Sequence, residues 1–292
     1  MNDRADNVTA AATSDEGGQL TPGLVPVKRK HPGQWAATLV ATVLIILIAI
    51  SVSTNPGFEW PVVGQYLFDV RILEGLLKTL ELTVIAMAIG LVLGTLLALM
   101  RLSNNRLLNV LSWLYIWFFR SIPPLVQLIF WYNFAALYQT LKIGIPFGPS
   151  LLEANTNSII SPFTAAILGL GLAQAAYTAE VIRGGILSVP RGQFLAARAV
   201  GMPGALIMRR IILPQSMKVI IPPIGNEVIS MIKNTSLVSV ISFAELLYSA
   251  QLIYSRTYQT IPLLIVACIW YLVVVSLFTL GQSFVERKYR ER

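Results

Sequence analysis

Residues 195–214 read LAARAVGMPGALIMRRIILP and separate two apolar stretches of the chain. The segment carries three arginines, a Gly-x-Pro break and a terminal Leu-Pro pair. A plain connection between two packed helices needs only a few turn residues. A segment of this length and charge therefore indicates a folded element to which another molecule docks.

The spacing within and just before this stretch predicts a helix, a tight turn and a second helix. Ser188 can cap a helix over Gln193 to Val200. Gly201 suits the position just past the helix end, where φ is positive. Pro203 can open the second helix, and Pro214 is expected to prevent its easy extension. An amphipathic hairpin that lies on a membrane surface is the alternative interpretation of the same spacing.

The composition places the chain in a membrane. Of its 292 residues, 55% are hydrophobic and 12% are charged, whereas soluble domains carry about 25% charged residues. The net charge of +8 does not indicate nucleic-acid binding, because the basic residues lie at the ends of apolar stretches and not on one face of a soluble domain. Cys268 and His31 are the only cysteine and histidine, which excludes a His/Cys metal cluster.

Six apolar stretches approach the roughly 20 residues that a helix needs to cross the hydrocarbon core. They cover residues 35–52, 76–100, 112–137, 163–182, 219–243 and 261–285. The sequence therefore predicts an all-α, polytopic transmembrane helical bundle with about six spans. The expected parts are a disordered tail with a basic juxtamembrane end (1–34), a first transmembrane helix (35–54), a transmembrane domain (74–285) and a basic tail (286–292).

The distribution of basic residues orients these spans. With the N-terminus in the cytoplasm, only Arg71, Lys78, Lys142 and Arg256 fall near the outer ends of spans, and the excess on the other side satisfies the positive-inside rule. Both termini and the 188–214 segment are therefore predicted to be cytoplasmic. Residues 142–161 are expected to form an external loop with a short helical turn, either as a contact for an external partner or as a spacer.

The 188–214 segment resembles a known motif. The EAA motif of the membrane subunits of ATP-binding-cassette (ABC) importers reads Glu-Ala-Ala, three residues, Gly, nine residues, Ile-x-Leu-Pro. This chain agrees with its spacing throughout, and Leu195 stands in place of the glutamate. The matching residues are Ala196, Ala197, Gly201, Ile211, Leu213 and Pro214.

Three further stretches resemble the polar amino acid (histidine/glutamine/arginine type) permeases of that family. They are FRSIPPLVQ (119–127), AYTAEVIRGG (176–185) and KNTSL (233–237), and the resemblance as a whole covers about residues 74–282. It implies a type I ABC importer membrane domain in which residues 188–214 form a helix-turn-helix coupling element. The residues expected to dock on an ATPase are Leu195, Ala196, Ala197, Gly201, Ile211, Leu213 and Pro214.

The resemblance also implies partners and a place in the cell. It implies two ATPase subunits, a second membrane subunit (the same chain or a relative), an extracytoplasmic amino-acid-binding protein and the lipid of a prokaryotic cytoplasmic membrane. The chain contains no Gly-Lys pair and hence no Gly-x-x-x-x-Gly-Lys-Ser/Thr phosphate loop. We therefore expect no catalytic residue, no metal and no cofactor on this chain, with ATP hydrolysis on a separate subunit.

Charged residues inside the predicted spans are candidates for a translocation path. A charge at the bilayer centre costs about 2.5–3.5 kcal/mol on insertion scales, so such groups usually face a bundle interior or a cavity. A path for an amino acid zwitterion could use one basic and one acidic group, and nearby hydroxyl or amide groups could donate to a carboxylate. The candidates are Arg120, Glu180, Glu227, Lys233, Asn234 and Thr235.

Each of these residues also has a structural interpretation. Glu180 and Arg183 are spaced to pair on one helix face. Glu227 and Lys233 could each pair across helices, and Arg120 could extend to the membrane interface. The alternatives for the whole chain are an ion-coupled secondary carrier or a channel subunit that works without an ATPase.

Overall fold

The computed structural model describes residues 32–144 and 150–290. Most of the predicted disordered tail, including His31, and the last two residues lie outside this range. The chain falls into two units that are described separately, one ending at Pro56 and one beginning at Gly57. The first unit holds helix α1 (Pro32–Thr54), which covers the first predicted span and buries none of its apolar window.

The second unit is almost entirely helical. Its helices up to the coupling element are α2 (Trp60–Tyr66), α3 (Val70–Leu102), α4 (Arg106–Ser121), α5 (Pro124–Tyr132), α6 (Thr156–Ile159) and α7 (Pro162–Leu187). They are followed by α8 (Arg191–Ala199), α9 (Gly204–Ile207), a π turn (Met208–Ile212), α10 (Leu213–Asn234), a 3-10 stretch (Thr235–Ile241), α11 (Leu246–Thr257) and α12 (Thr260–Arg290). Short 3-10 turns also lie at Pro56–Phe58 and Phe134–Ala136.

Within residues 32–144 and 150–290, four helices are long and apolar enough to cross a membrane. They are α1, α3, α7 and α12, and two bent helix pairs raise the number to six if each pair is one span. The prediction of an all-α bundle with about six spans is therefore confirmed.

The external loop predicted over 142–161 contains a strand pair. Strands β1 (Thr140–Gly144) and β2 (Ser150–Asn155) form an antiparallel hairpin, and the one-turn helix α6 follows. Lys142 Nζ lies 2.8 Å from Glu153 Oε1, directly across the hairpin. The expectation of a loop was wrong for this part, because backbone pairing and a cross-strand ion pair order a stretch with no alternating apolar pattern.

Helices α3 and α7 pack closely because small residues meet larger ones at their contact. A Cβ on Gly90 would come within 2.5 Å of Gln174 Cγ, and one on Gly94 within 2.7 Å of Thr178 Cβ. The buried face of α7 is lined mainly by alanines, among them Ala173, Ala175, Ala176 and Ala179. Residues without bulky side chains let helix backbones approach, which is the usual packing device inside membranes.

The third predicted span is broken. Helices α4 and α5 meet at 98°, where the sequence predicted one span over 112–137. Pro123 and Pro124 supply no backbone N–H, and Pro124 begins α5 as the first residue of a new helix. The stretch predicted as one span over 112–137 therefore contains two helices joined by a sharp bend at the proline pair.

The fifth predicted span begins earlier than expected. The chain is helical without a break from Gly204 to Ile241, through the π turn and through Pro214. The prediction that Pro214 prevents easy extension of the second helix was therefore wrong, because Pro214 falls in the first turn of α10, after a π turn that changes the helix register. Pro222 and Pro223 lie inside α10, which continues through them and is held against α7 and α12.

Candidate functional site

The turn of the coupling element has the geometry that its glycine requires. Helix α8 ends at Ala199, and Gly201 follows with φ +80°. The Gly201 N–H donates to the Arg198 carbonyl at 2.9 Å and the Met202 N–H to the Ala197 carbonyl at 3.1 Å. These two bonds form a Schellman motif, for which a residue with a positive φ is needed. The predicted tight turn at Gly201 is confirmed.

The start of the coupling element differs from the prediction. Helix α8 begins at Arg191, two residues before the predicted Gln193, and its N-cap position is Pro190. Ser188 does not cap it, because its hydroxyl donates to the Gly185 carbonyl at 2.7 Å and so completes the end of α7. A serine hydroxyl often bonds a carbonyl three or four residues earlier, and sequence spacing does not separate this use from N-capping.

The predicted docking residues divide between the inside and the outside of the hairpin. Ala197 is buried, and together with Ile207 and Ile212 it forms a small apolar core. Ile211 packs against that core and is partly exposed. Ala197 therefore packs inside the hairpin, between α8 and the segment that follows the turn. The sequence had instead predicted that a partner protein would approach this residue. The exposed members of the set are Leu195, Ala196, Gly201, Leu213 and Pro214.

A groove of about 380 Å³ runs beside α8. Its walls are mostly apolar, and Leu195 and Arg191 belong to them. The lining residues are Ile186, Leu187, Val189, Pro190, Arg191, Phe194, Leu195, Met208 and Ile212. The groove thus joins the end of α7, the outer face of α8 and the π turn.

A second cavity, of about 500 Å³, brings together two of the predicted path residues. Arg120 and Glu180 both line it. The Arg120 guanidinium carbon lies 5.3 Å from the centroid of the Tyr177 ring, a cation–π distance. The cavity is lined by Arg101, Trp113, Ile116, Trp117, Arg120, Ser121, Tyr177 and Glu180.

Glu180 also forms the ion pair that its spacing predicted. Its Oε2 accepts from Arg183 Nη2 at 2.8 Å and from Arg183 Nε at 3.1 Å, within α7. Both side chains are about a quarter to a third exposed. One carboxylate thus faces a cavity and is at the same time held in place by a neighbouring cation.

The other four candidates lie apart from this cavity's lining. Glu227 Oε2 accepts from Gln174 Nε2 at 3.2 Å, which links α10 to α7. Lys233 and Asn234 are exposed at the end of α10. Thr235 is buried, and its hydroxyl donates to the Ile232 carbonyl at 2.7 Å. The expectation that Lys233, as a charge within a predicted span, faces the bundle interior is not met in the single chain, where its side chain is exposed close to the point at which α10 passes into the 3-10 stretch.

Glu245 and Gln127 are among the buried polar residues that the sequence did not single out. Glu245 is fully buried and accepts from the N–H groups of Leu247 and Tyr248 and from the Tyr271 hydroxyl. It lies between the fifth and sixth predicted spans, and the only signal was an acidic residue directly before an apolar run, as at a helix N-cap. Gln127 is also buried, just after the proline pair.

Comparison with known proteins identifies the family. The sequence profile described as "Binding-protein-dependent transport system inner membrane component" matches residues 90–291. The chain is 43% identical over 265 residues to the arginine transport system permease protein ArgU of Corynebacterium glutamicum, covering 90% of this chain and 82% of the relative. It is 41% identical over 204 residues to the nopaline transport system permease protein NocM of Agrobacterium fabrum, covering 70% of this chain and 81% of that relative.

Solved structures agree with these matches. One reported as the crystal structure of an amino acid ABC transporter with histidines has a TM-score of 0.64 and 38% identity, covering 75% of this chain and 94% of that one. An inward-facing MetNI methionine ABC transporter has a TM-score of 0.59 at 19% identity, covering 75% of this chain and 96% of that one, which shows a shared fold. This chain belongs to the family of inner membrane components of binding-protein-dependent transport systems, the permease subunits of ABC importers.

Proposed function

We propose that this permease subunit moves a polar amino acid across the cytoplasmic membrane, driven by ATP hydrolysis on a separate subunit. The observation that carries the proposal is the cavity in which Arg120 and Glu180 face the same space. The substrate class is supported by a relative named as an arginine transport permease and by a structural neighbour named as an amino acid transporter.

The cavity offers complementary groups to a zwitterion. The Arg120 guanidinium presents several N–H donors to a carboxylate, and the Tyr177 ring holds this side chain from one side. Glu180 offers a carboxylate to an ammonium or guanidinium group, in competition with Arg183. Glu180 is paired with Arg183, which lies outside the cavity lining, and Arg120 lies against the Tyr177 ring, so each charged group has a partner within the chain.

The proposed assembly holds two ATPase subunits, a second membrane subunit and an extracytoplasmic amino-acid-binding protein. Both termini of this chain and the coupling element then lie in the cytoplasm, as the basic residues favour. ATP binding moves the docked coupling elements, and the membrane halves alternate between outward and inward access as rigid bodies.

Uptake into proteoliposomes tests the proposal. The chain is reconstituted with its ATPase and binding protein, and ATP-dependent uptake of arginine, glutamine and histidine is measured. Arg120→Gln and Glu180→Gln should each lower uptake at least tenfold, whereas Arg106→Gln, at the exposed start of the same helix, should not. Glu180 could contact the substrate or serve only to neutralise Arg183. The double variant Glu180→Gln with Arg183→Gln separates these two roles, because it restores uptake only if the carboxylate serves to neutralise Arg183.

The alternative functions give different results in the same assay. An ion-coupled carrier or a channel would transport amino acids without the ATPase. Uptake that persists when an ATPase with an inactive catalytic site is used would therefore contradict the proposal. Unchanged uptake by both single variants would remove the cavity from the translocation path.

A further inference from the structure

The coupling element lies in a stretch of chain with charges of one sign only. Between Glu180 and Glu227 the sequence contains no aspartate or glutamate. The basic residues in the same stretch are Arg183, Arg191, Arg198, Arg209, Arg210 and Lys218. A protein surface that receives this element therefore meets an uncompensated positive potential.

The position of Leu195 explains why the positive charge of α8 is uncompensated. Leu195 follows Arg191 by four residues and precedes Arg198 by three, so all three side chains share one face of α8. A carboxylate at 195, as in the motif, could pair with either arginine. Leucine cannot, and neither arginine lies within 4.0 Å of a carboxylate in the part of the chain that the structure describes.

The same face is also unusually apolar for a surface outside the bilayer. Leu195 is 63% exposed and Phe194 is 37% exposed beside the groove of about 380 Å³. Arg198 lies over the Phe194 ring, with 5.4 Å between its guanidinium carbon and the ring centroid. An exposed apolar side chain between two cations indicates a partner with both an apolar contact and acidic groups.

A lipid surface fits this arrangement less well. A helix that lies in a membrane interface separates an apolar face from a charged face on its opposite side. On α8 the exposed leucine lies between the arginines, and the opposite position is used by Ala197 to pack inside the hairpin. The mixed face favours a folded protein as its partner.

We infer that the ATPase which receives this coupling element carries carboxylates opposite Arg191 and Arg198 and an apolar side chain that fills the groove beside Leu195. The inference rests on the proposed function, because it takes an ATPase as the partner. It assigns to the partner the acidic group that the motif otherwise places on the permease itself.

Binding of the ATPase to the full chain in nanodiscs of zwitterionic lipid tests this inference. The probe is the purified ATPase of the same transport system, and its dissociation constant is measured between about 50 and 500 mM salt. Leu195→Glu should weaken binding at least tenfold, because the new carboxylate pairs with the two arginines and repels the acidic partner. Arg191→Gln with Arg198→Gln should weaken binding at low salt and flatten its salt dependence, whereas Arg256→Gln, far along the chain on α11, should change neither.

Three outcomes overturn the inference. Binding of Leu195→Glu that equals or exceeds that of wild type would mean that the partner offers a basic or neutral site. Salt-independent binding of wild type would remove the charge complementarity, and in both cases ATP-driven uptake by the same subunits would leave the proposed function intact. The third outcome is that wild type binds no ATPase and that nanodiscs of anionic lipid alone protect α8 from hydrogen exchange. The coupling element would then be a lipid contact, and the proposed function would fail as well.

Discussion

The side-chain amide of Gln127 donates to the backbone carbonyl of Phe119 at 3.0 Å. A residue with an N–H at position 123 would have bonded this carbonyl in a continuous helix, but Pro123 has none. The same amide nitrogen donates to the Ile122 carbonyl at 2.9 Å. Gln127 thus supplies the donor that the proline pair withdraws, from the first turn of the helix that follows the break.

Gln127→Leu should destabilise the chain through this break. The substitution keeps a similar side-chain volume and removes both hydrogen bonds. The two carbonyls then lack this donor, which lowers the free energy of unfolding by about 1–3 kcal/mol. A lower apparent Tm in detergent is the expected result. Gln139→Leu, at an exposed position, is the control. Equal melting of the two variants would show that the break is held by packing alone.

Gly185→Ala should disturb the contact of α7 with α10. A Cβ at this position would lie 2.2 Å from Ile220 Cγ1, whereas a Cβ on the neighbouring Gly184 would meet nothing within 4 Å. Overpacking of this kind typically costs about 1–3 kcal/mol. We expect a lower apparent Tm for Gly185→Ala and no change for Gly184→Ala. Adding Ile220→Ala should recover part of the loss, and a failure to do so would place the strain elsewhere.

Glu245→Ala should lower the stability of the folded chain, although Glu245 lies in a connection between two helices. It removes an N-cap, worth about 0.5–2 kcal/mol, and leaves the Tyr271 hydroxyl without its acceptor, worth about 1–3 kcal/mol. Glu245→Gln keeps an acceptor and should cost less. The half-exposed Glu81→Ala serves as the matched control. A thermal shift assay that ranks Ala and Gln equally would contradict the assigned hydrogen bonds.

The pair at the start of α3 should make stability depend on pH. Hydrogen bonds from the Arg71 guanidinium hold the pKa of Asp69 below its ordinary value of 3.8. A lowered pKa stabilises the folded chain above the pKa of the unfolded one, and this contribution disappears as the pH falls through the lowered value. Asp69→Asn still caps the helix but loses the charge. The apparent Tm of the variant should therefore be lower than that of wild type at pH 7, and the difference in Tm should shrink below about pH 3.8. A difference in Tm that stays the same at every pH would show that ionisation of Asp69 does not contribute to stability.

Long apolar runs and one glycine were sufficient to predict much of the fold. The spans at α3, α7 and α12 follow from runs too long and too apolar for a soluble helix. The turn at Gly201 follows from backbone sterics, since a positive φ is costly for residues with a Cβ. These features depend on local sequence, and the structure has them where the sequence placed them.

Features that depend on distant partners were not predictable in the same way. Whether the helix continues through Pro214 depends on the π turn before it. The role of Ser188 depends on which carbonyl its hydroxyl reaches. Glu245 is buried beside Tyr271, a residue on another helix whose hydroxyl donates to it. In the candidate site, the sequence could select Arg120 and Glu180 as charges within spans, but their shared cavity arises from the crossing of α4 and α7.

The unbroken helical run from Gly204 through Asn234 makes the coupling element one end of a lever. At 1.5 Å per residue the run is about 45 Å long, so a tilt of about 5° at Gly204 displaces the other end by about 4 Å. A flexible loop at Pro214 would have absorbed such a tilt. Because the helix continues through the proline, a small rotation that the ATPase of the proposed assembly imposes on the coupling element is delivered, enlarged, to the exposed Lys233 and Asn234, where α10 passes into the 3-10 stretch.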